Sequence, residues 1–93
     1  MASRVLVTAG ASGIGLEIAR AFAEKGSSVY TCDINEEALD SARSEIKGLQ
    51  TRQCDVGDRA AVEAMVKDAA ERLDGIDVLV VPPGPATSQG SGK

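Results

Sequence analysis

The sequence predicts an α/β fold in which strands and helices alternate along one small domain. Four short apolar segments are separated by three longer segments whose apolar residues recur every three or four positions. The short segments have the length of buried strands, and the longer period is typical of amphipathic helices. Strands that alternate with helices usually pair in parallel, so we expect a βαβαβαβ chain around a parallel sheet. A chain of 93 residues suffices for one such domain.

The predicted strands differ in polarity. They span residues 4–8, 28–32, 49–54 and 76–81. The fourth strand is nearly all apolar, as expected for a parallel strand that is covered on both faces. The third strand is short and partly polar, which is typical of a strand at the edge of a sheet.

Capping residues and apolar stripes predict the three helices. The first helix starts near Gly13, and Asn35 and Asp58 are expected to cap the second and third, because their side chains can accept hydrogen bonds from helical amides. Lys25 is expected in the last turn of the first helix. The glycines expected to end the helices are Gly26, Gly48 and Gly75. The residues expected on the buried faces are Ile14, Ile18, Ala19 and Phe22, then Leu39, Ala42 and Ile46, and then Val62, Met65, Val66, Ala69 and Leu73. The acidic residues expected on a solvated face of the third helix are Glu63, Asp68 and Glu71.

Composition and charge exclude several classes of function. The net charge is −4, which disfavours nucleic acid and anionic membrane surfaces as partners, because both require a basic face. No apolar run approaches the length of a membrane helix, and the N-terminus lacks the pattern of a signal peptide, so a cytoplasmic location is expected. The chain has no histidine, which excludes a Ser-His-Asp triad and histidine metal ligands.

A glycine-rich loop between the first strand and the first helix predicts a phosphate-binding site. Glycines allow a tight turn and let the backbone amides of the helix start approach a pyrophosphate. We therefore expect Gly10, Gly13, Ile14 and Gly15 to face the pyrophosphate of a dinucleotide, and Ser12 to be a further cofactor-binding residue of the loop. The alternative is a plain turn that requires small residues for packing.

Acidic residues follow the second and third strands. Asp33 is expected to accept hydrogen bonds from the adenosine ribose hydroxyls and to repel a 2′-phosphate, which favours NAD over NADP. Asp55 and Val56 are expected to contact the adenine, through a carboxylate and a backbone amide. Each acid could instead serve only as a turn residue, although Asn35 already provides the predicted cap after Asp33.

Four motifs in this order resemble the short-chain dehydrogenase/reductase family over residues 4–80. They are Thr8-Ala9-Gly10-Ala11-Ser12-Gly13-Ile14-Gly15, Asp33, Asp55-Val56 and Asp77-Val78-Leu79-Val80. The family's loop is Thr-Gly-x-x-x-Gly-x-Gly, and Ala9 stands where its first glycine belongs. The resemblance implies a Rossmann-type sheet with strand order 3-2-1-4. It also implies an NAD-dependent oxidoreductase that transfers a hydride between the nicotinamide and a carbonyl or hydroxyl carbon.

The resemblance ends after the fourth strand. The family continues with Asn-Asn-Ala-Gly, whereas this chain has Val81-Pro82-Pro83-Gly84. The catalytic Ser and Tyr-x-x-x-Lys of the family lie farther along, so no catalytic residue is assigned. Tyr30 is followed four residues later by Ile34 and is expected to be a packing residue. We therefore predict a truncated dinucleotide-binding half-domain in residues 1–81 and a disordered Pro-, Gly- and Ser-rich tail in residues 82–93.

Two cysteines, Cys32 and Cys54, each directly precede an acid at a strand end. If the second and third strands are neighbours, the two sulfurs lie close together. They are then either a redox pair or two reduced, partly buried thiols, and the second interpretation is typical of a cytosolic protein.

The sequence as a whole predicts the NAD-binding portion of a short-chain dehydrogenase-type oxidoreductase, without the residues needed for turnover. Two alternatives remain open: a non-catalytic NAD-binding module and a non-functional truncated product. The fourth strand would be an apolar sheet edge, so we expect self-association through Val78-Leu79-Val80-Val81.

Overall fold

The computed structural model of the protein describes residues 3–9 and 13–82. Within them, strands and helices alternate as predicted. The bounds are β1 (Arg4–Thr8), α1 (Gly13–Glu24), β2 (Ser28–Asp33), α2 (Glu36–Glu45), β3 (Gln50–Gln53), α3 (Arg59–Leu73) and β4 (Val78–Val80). The strands form one sheet in the order β3-β2-β1-β4, and every pair is parallel. The predicted fold class and strand order are therefore confirmed.

Two hydrophobic layers cover the two faces of this sheet. Successive side chains of a strand point to opposite faces, so Val5 and Val7 lie on one face and Leu6 on the other. The buried residues of the first layer, under α1 and α2, are Val5, Val7, Ala19, Val29, Leu39, Ala42, Ile46 and Leu49. The buried residues of the second layer, under α3, are Leu6, Tyr30, Cys32, Cys54, Met65, Ala69 and Leu73.

The predicted N-caps are confirmed. The Asn35 side chain accepts a hydrogen bond from the Ala38 amide at 3.1 Å. The Asp58 carboxylate accepts from the amides of Ala60 and Ala61 at 3.0 and 3.3 Å. Both caps satisfy amide groups that the first turn of a helix leaves without a partner inside the helix.

The helix ends differ from the prediction by about one residue. Lys25 lies just beyond the last residue of α1 rather than in its last turn. The left-handed cap of α3 is Asp74, with φ of 63°, and Gly75 follows it with φ of 117°. Aspartate tolerates this conformation better than most residues, because its short side chain can hydrogen-bond locally.

Two apolar residues that were predicted to be buried are exposed. Ile14 is 59% exposed and Val66 is 39% exposed. Adjacent residues of a helix point in directions about 100° apart. Gly15 in α1 and Met65 in α3 are buried, so the adjacent residues Ile14 and Val66 point away from the sheet. The prediction that Ile14 and Val66 lie on the buried faces was therefore wrong.

The third and fourth strands are shorter than predicted. Their paired residues are 50–53 and 78–80, rather than 49–54 and 76–81. Before β4 begins, Asp77 is engaged by Arg4: its carboxylate accepts from the Arg4 guanidinium at 2.8 and 2.9 Å and from the Arg4 amide at 2.9 Å. These hydrogen bonds hold the pKa of the Asp77 carboxyl down to about 2, so the contact persists across the neutral pH range.

Asp68 does not belong to a solvated face, which corrects the prediction for α3. It accepts a hydrogen bond from the Tyr30 hydroxyl at 2.6 Å and pairs with Arg72 at 3.0 Å and Arg52 at 3.7 Å. Tyr30 itself is fully buried, as its predicted packing role requires. The phenol that packs under α3 thus has its polar atom satisfied by the helix above it.

We expect Tyr30→Phe to lower the free energy of unfolding by about 1 kcal/mol. The phenylalanine ring fills the same buried position, but the hydrogen bond to the Asp68 carboxylate is lost. Burial and the bond to Asp68 raise the pKa of Tyr30. The stabilisation is therefore fully present below the ordinary phenol pKa and declines as the pH rises towards the folded value. Urea denaturation followed by circular dichroism at neutral and alkaline pH measures both effects. Equal midpoints for the two proteins at neutral pH would contradict the assigned contact.

Candidate functional site

The carboxyl ends of the strands meet at one edge of the sheet. Thr8 at the end of β1 pairs with Cys32 in β2, and Asp33 pairs with Gln53 at the end of β3. Thr8 and Cys32 are the last pair that joins β1 to β2, and Ala9 and Asp33 directly follow them. The residue after β1 and the acid at the end of β2 therefore lie side by side.

Helix α1 begins at this edge. Its first residue is Gly13, with φ of 60°. Among the described residues, a Cβ placed there would have no heavy atom within 4 Å beyond Gly13 itself, its chain neighbours and the backbone of its own helix. Its first turn contains no acidic residue, so nothing there opposes an anion at the positive end of the helix dipole. Gly15 is buried. Two further predicted loop residues, Gly10 and Ser12, lie outside the described residues.

The backbone of Ala9 is left-handed, with φ of 52°. Only glycine adopts this region without steric cost, because the Cβ of any other residue crowds the following carbonyl oxygen. Ala9 stands at the position where the resembling family has its first glycine. The turn that leads from β1 towards α1 is therefore kept at the expense of local strain.

Asp33 is partly buried at the end of β2. One of its carboxylate oxygens accepts a hydrogen bond from the Asn35 amide at 3.1 Å. Its backbone carbonyl accepts from the Cys54 amide at 2.9 Å, which links the ends of β2 and β3. The carboxylate therefore has a fixed position, and it also contributes to the turn before α2.

Asp55 and Val56 form an exposed turn after β3. The Asp55 carboxylate accepts from the Gly57 amide at 2.9 Å, and its carbonyl accepts from the Asp58 amide at 2.9 Å. Asp55 is thus a turn residue. Its expected contact with an adenine stays a prediction. Val56 is 55% exposed, which places an apolar side chain in solvent at this edge.

Exposed apolar side chains gather around the same edge. Besides Val56, they include Ile14 in the first turn of α1 and Ile34 directly after β2, which are 59% and 60% exposed. Apolar side chains that remain exposed beside polar groups are typical of a surface that contacts a ligand or partner. The sequence motifs do not include Ile34, although an isoleucine between Asp33 and Asn35, in a polar turn, indicates an apolar side chain at this edge.

The arrangement lacks some features that other functions would need. Among residues 3–9 and 13–82, no group of three His, Cys, Asp or Glu side chains could hold a metal ion. No helix in that part of the chain is long and apolar enough to cross a membrane.

The fold and the edge define the class of protein first. In open parallel α/β sheets, ligands bind beyond the carboxyl ends of the strands, where the loop before a helix and an acid after the next strand come together. A family model for short chain dehydrogenase matches residues 3–91. This chain therefore belongs to the short-chain dehydrogenase family.

Individual relatives agree with this assignment. The chain is 39% identical over 75 residues to 2-dehydro-3-deoxy-L-rhamnonate dehydrogenase (NAD(+)) of Sphingomonas sp. (strain SKA58), covering 81% of this chain and 30% of that protein. It is 40% identical over 76 residues to the uncharacterized oxidoreductase DltE of Bacillus subtilis (strain 168), covering 82% of this chain and 30% of that protein. The chain thus spans about a third of the length of these curated relatives.

Solved structures show the same similarity in three dimensions. A crystal structure of actinorhodin polyketide ketoreductase with NADPH has a TM-score of 0.83 and 38% identity, covering 91% of this chain and 36% of that chain. Hydroxysteroid dehydrogenase from Escherichia coli has a TM-score of 0.83 and 31% identity, covering 89% and 37%.

We expect Ala9→Gly to raise the free energy of unfolding by about 0.5–1 kcal/mol, because relief of the left-handed strain outweighs the added freedom of the unfolded chain. Ala64→Gly, at an exposed position inside α3, is the matched control. It should lower stability by about 1 kcal/mol, since glycine is a poor helix former. Thermal and urea denaturation measure both values, and a destabilised Ala9→Gly protein would refute the strain.

Proposed function

We propose that this chain is the nicotinamide-dinucleotide-binding portion of a short-chain dehydrogenase-type oxidoreductase, and that it prefers NAD to NADP. The observation that carries the proposal is the adjacency of Asp33 to Ala9, at the edge where α1 begins. A helix amino terminus offers backbone amides to a diphosphate, and a carboxylate on the neighbouring strand accepts hydrogen bonds from a ribose. A dinucleotide site needs both groups at one edge of the sheet. The parallel pairing of β1 with β2 places the end of β1, which leads to α1, beside the acid at the end of β2.

Each part of the site has a proposed contact. The pyrophosphate lies against Gly10, Ser12, Gly13, Ile14 and Gly15, of which Gly13 begins α1. Asp33 accepts hydrogen bonds from the adenosine ribose. Asp55 and Val56 contact the adenine.

The exposed apolar residues support the position proposed for the adenine. Ile34 follows Asp33, and Val56 follows Asp55, so two apolar side chains lie beyond the ends of adjacent strands. An aromatic base that packs against such side chains removes apolar surface from water, which lowers the free energy of binding. Ile34 is therefore a proposed contact in addition to those predicted from the sequence.

The preference for NAD follows from charge. The 2′-phosphate of NADP would lie next to the Asp33 carboxylate, and the residues around that acid and at the end of the glycine loop are Ser12, Ile34 and Asn35, which bring no positive charge. Repulsion between the Asp33 carboxylate and this phosphate weakens binding of the phosphorylated cofactor.

The bound dinucleotide would supply a hydride acceptor or donor. Hydride exchange with a carbonyl or hydroxyl substrate is the proposed activity of the whole protein, not of these 93 residues alone. The single tyrosine of the chain, Tyr30, is buried and donates to Asp68, so it is not available to a substrate. A cytoplasmic location remains part of the proposal, and the two free cysteines are consistent with a reducing compartment.

We expect Asp33→Ala to weaken NAD binding about 10- to 100-fold, because hydrogen bonds from the ribose to a charged acceptor are lost. Affinity for NADP should change far less, since the same substitution also removes the repulsion of its 2′-phosphate. Isothermal titration of both cofactors measures the two affinities. Glu71→Ala, an exposed acid near the end of α3 that lies away from this edge, is the control and should bind both cofactors as the unsubstituted chain does. Equal losses for NAD and NADP on Asp33→Ala would refute the role of Asp33.

We also propose that the chain associates with a second copy through β4. This strand is at the edge of the sheet, and its described pairing partner is β1 alone. Leu79 and Val81 are 60% and 70% exposed, and residues 78–81 contain no charge that would oppose pairing. An unprotected apolar edge offers both backbone hydrogen bonds and apolar area to another chain.

Leu79→Lys should shift the chain towards monomer, because a charge on an edge strand must be desolvated when two edges pair. Val66→Lys, at an exposed apolar position on α3, is the matched control and should leave association unchanged. Sedimentation equilibrium over a range of concentrations measures the association constant of each protein. An unsubstituted chain that stays monomeric throughout this range would remove the basis for the proposal.

A further inference from the structure

Two thiols lie on one face of the sheet, at the ends of adjacent strands. Cys32 in β2 pairs with Arg52 in β3. Side chains two residues apart along a strand point to the same face, so Cys54 is on the same face as Cys32, one position past the end of β3. Both belong to the layer under α3, and they are 0% and 4% exposed.

The two thiols are near neighbours. Each one influences the pKa of the other, and both cysteines are free. Burial raises the pKa of each thiol, so both are protonated at neutral pH and the resting state is a dithiol.

The pair is also next to the proposed nucleotide site. Cys32 directly precedes Asp33, and Cys54 directly precedes Asp55. The Cys54 amide donates to the Asp33 carbonyl at 2.9 Å, so the two strand ends are already linked at this point. A change in the distance between the sulfurs that exceeds what side-chain rotation allows therefore moves the backbone that bears these two acids.

The edge position of β3 makes such movement possible. β3 is an edge strand of four residues, and residues 55–60, which follow Cys54, are all exposed. The exposed turn after Cys54 therefore opposes a shift of its backbone less than the sheet opposes a shift of Cys32, which is held between β1 and β3.

We propose that Cys32 and Cys54 are an oxidative modification site, at which hydrogen peroxide or a related two-electron oxidant closes an intramolecular disulfide. Two S–H bonds break and one S–S bond forms. The two electrons released reduce the O–O bond of the peroxide, and the two thiol protons complete two molecules of water. A disulfide requires the sulfurs to approach to about 2.05 Å, closer than hydrogen-bond contact, so its formation draws the end of β3 towards β2.

The consequence for binding rests on the proposed function. Movement of Cys54 displaces Asp55 and Val56 relative to Asp33, so the disulfide form binds NAD more weakly than the dithiol form. Because coupling between two equilibria is reciprocal, bound NAD shifts the equilibrium between dithiol and disulfide towards the dithiol. The pair thus makes cofactor binding sensitive to oxidants.

The first test is chemical and does not depend on the cofactor. The reduced 93-residue chain is treated with hydrogen peroxide, and its intact mass and non-reducing peptide map are measured while circular dichroism confirms that it stays folded. We expect loss of the mass of two hydrogen atoms and a peptide that joins Cys32 to Cys54. Cys54→Ala should show no such loss. Retention of both thiols, separate oxygen additions to each sulfur, or disulfides only between chains would overturn the proposal.

The second test measures the coupling. Titration with NAD should give an affinity about tenfold lower for the disulfide form than for the dithiol form, with recovery after reduction. Equal affinities of the two forms would refute the coupling. If the disulfide forms but neither form binds NAD, the modification site stands and the proposed function fails. If the dithiol form binds NAD but no disulfide forms, the proposed function stands and this inference fails.

Discussion

The parallel pairing of β1 with β2 is the constraint on which the rest of the structure depends. It sets Thr8 opposite Cys32, and so places the residue that follows β1 beside the acid that ends β2. Both strands are buried in the middle of the sheet, and a shift of register by one residue would turn every side chain to the wrong face. The hydrophobic layers under α1, α2 and α3 therefore fix the positions of the polar groups at the edge.

The backbone strain and the exposed apolar side chains occur at the same edge of the sheet. Ala9 keeps a left-handed backbone, and Ile14, Ile34 and Val56 remain in solvent, although none of these features stabilises the isolated fold. Unfavourable local conformations and exposed apolar side chains persist where a surface is shaped for contact. Under α3, by contrast, polar groups stabilise the fold. Asp68 accepts a hydrogen bond from the Tyr30 hydroxyl and pairs with two arginines, so it fixes α3 over β2 and β3.

The sequence by itself determined the element order, the N-caps Asn35 and Asp58 and the apolar strands. Each of these depends on residues that are near one another in the chain, so periodicity and side-chain chemistry suffice to predict them. The same local character explains the errors. Periodicity does not show whether Ile14 or Gly15, or whether Val66 or Met65, is the buried residue. Which of two adjacent helical residues is buried depends on the direction in which the sheet lies. Sequence motifs also named the candidate site residues, but not Ile34, whose exposure follows from the turn that surrounds it.

Only the tertiary structure decided which distant residues meet. The hydroxyl of Tyr30 and the carboxylate of Asp68 are 38 residues apart in the chain and 2.6 Å apart in space, a contact that α3 makes when it packs across β2. Arg4 and Asp77 meet because β4 pairs with β1. Such contacts depend on the order of the strands and the faces of the helices, and nothing in a local stretch of residues specifies them.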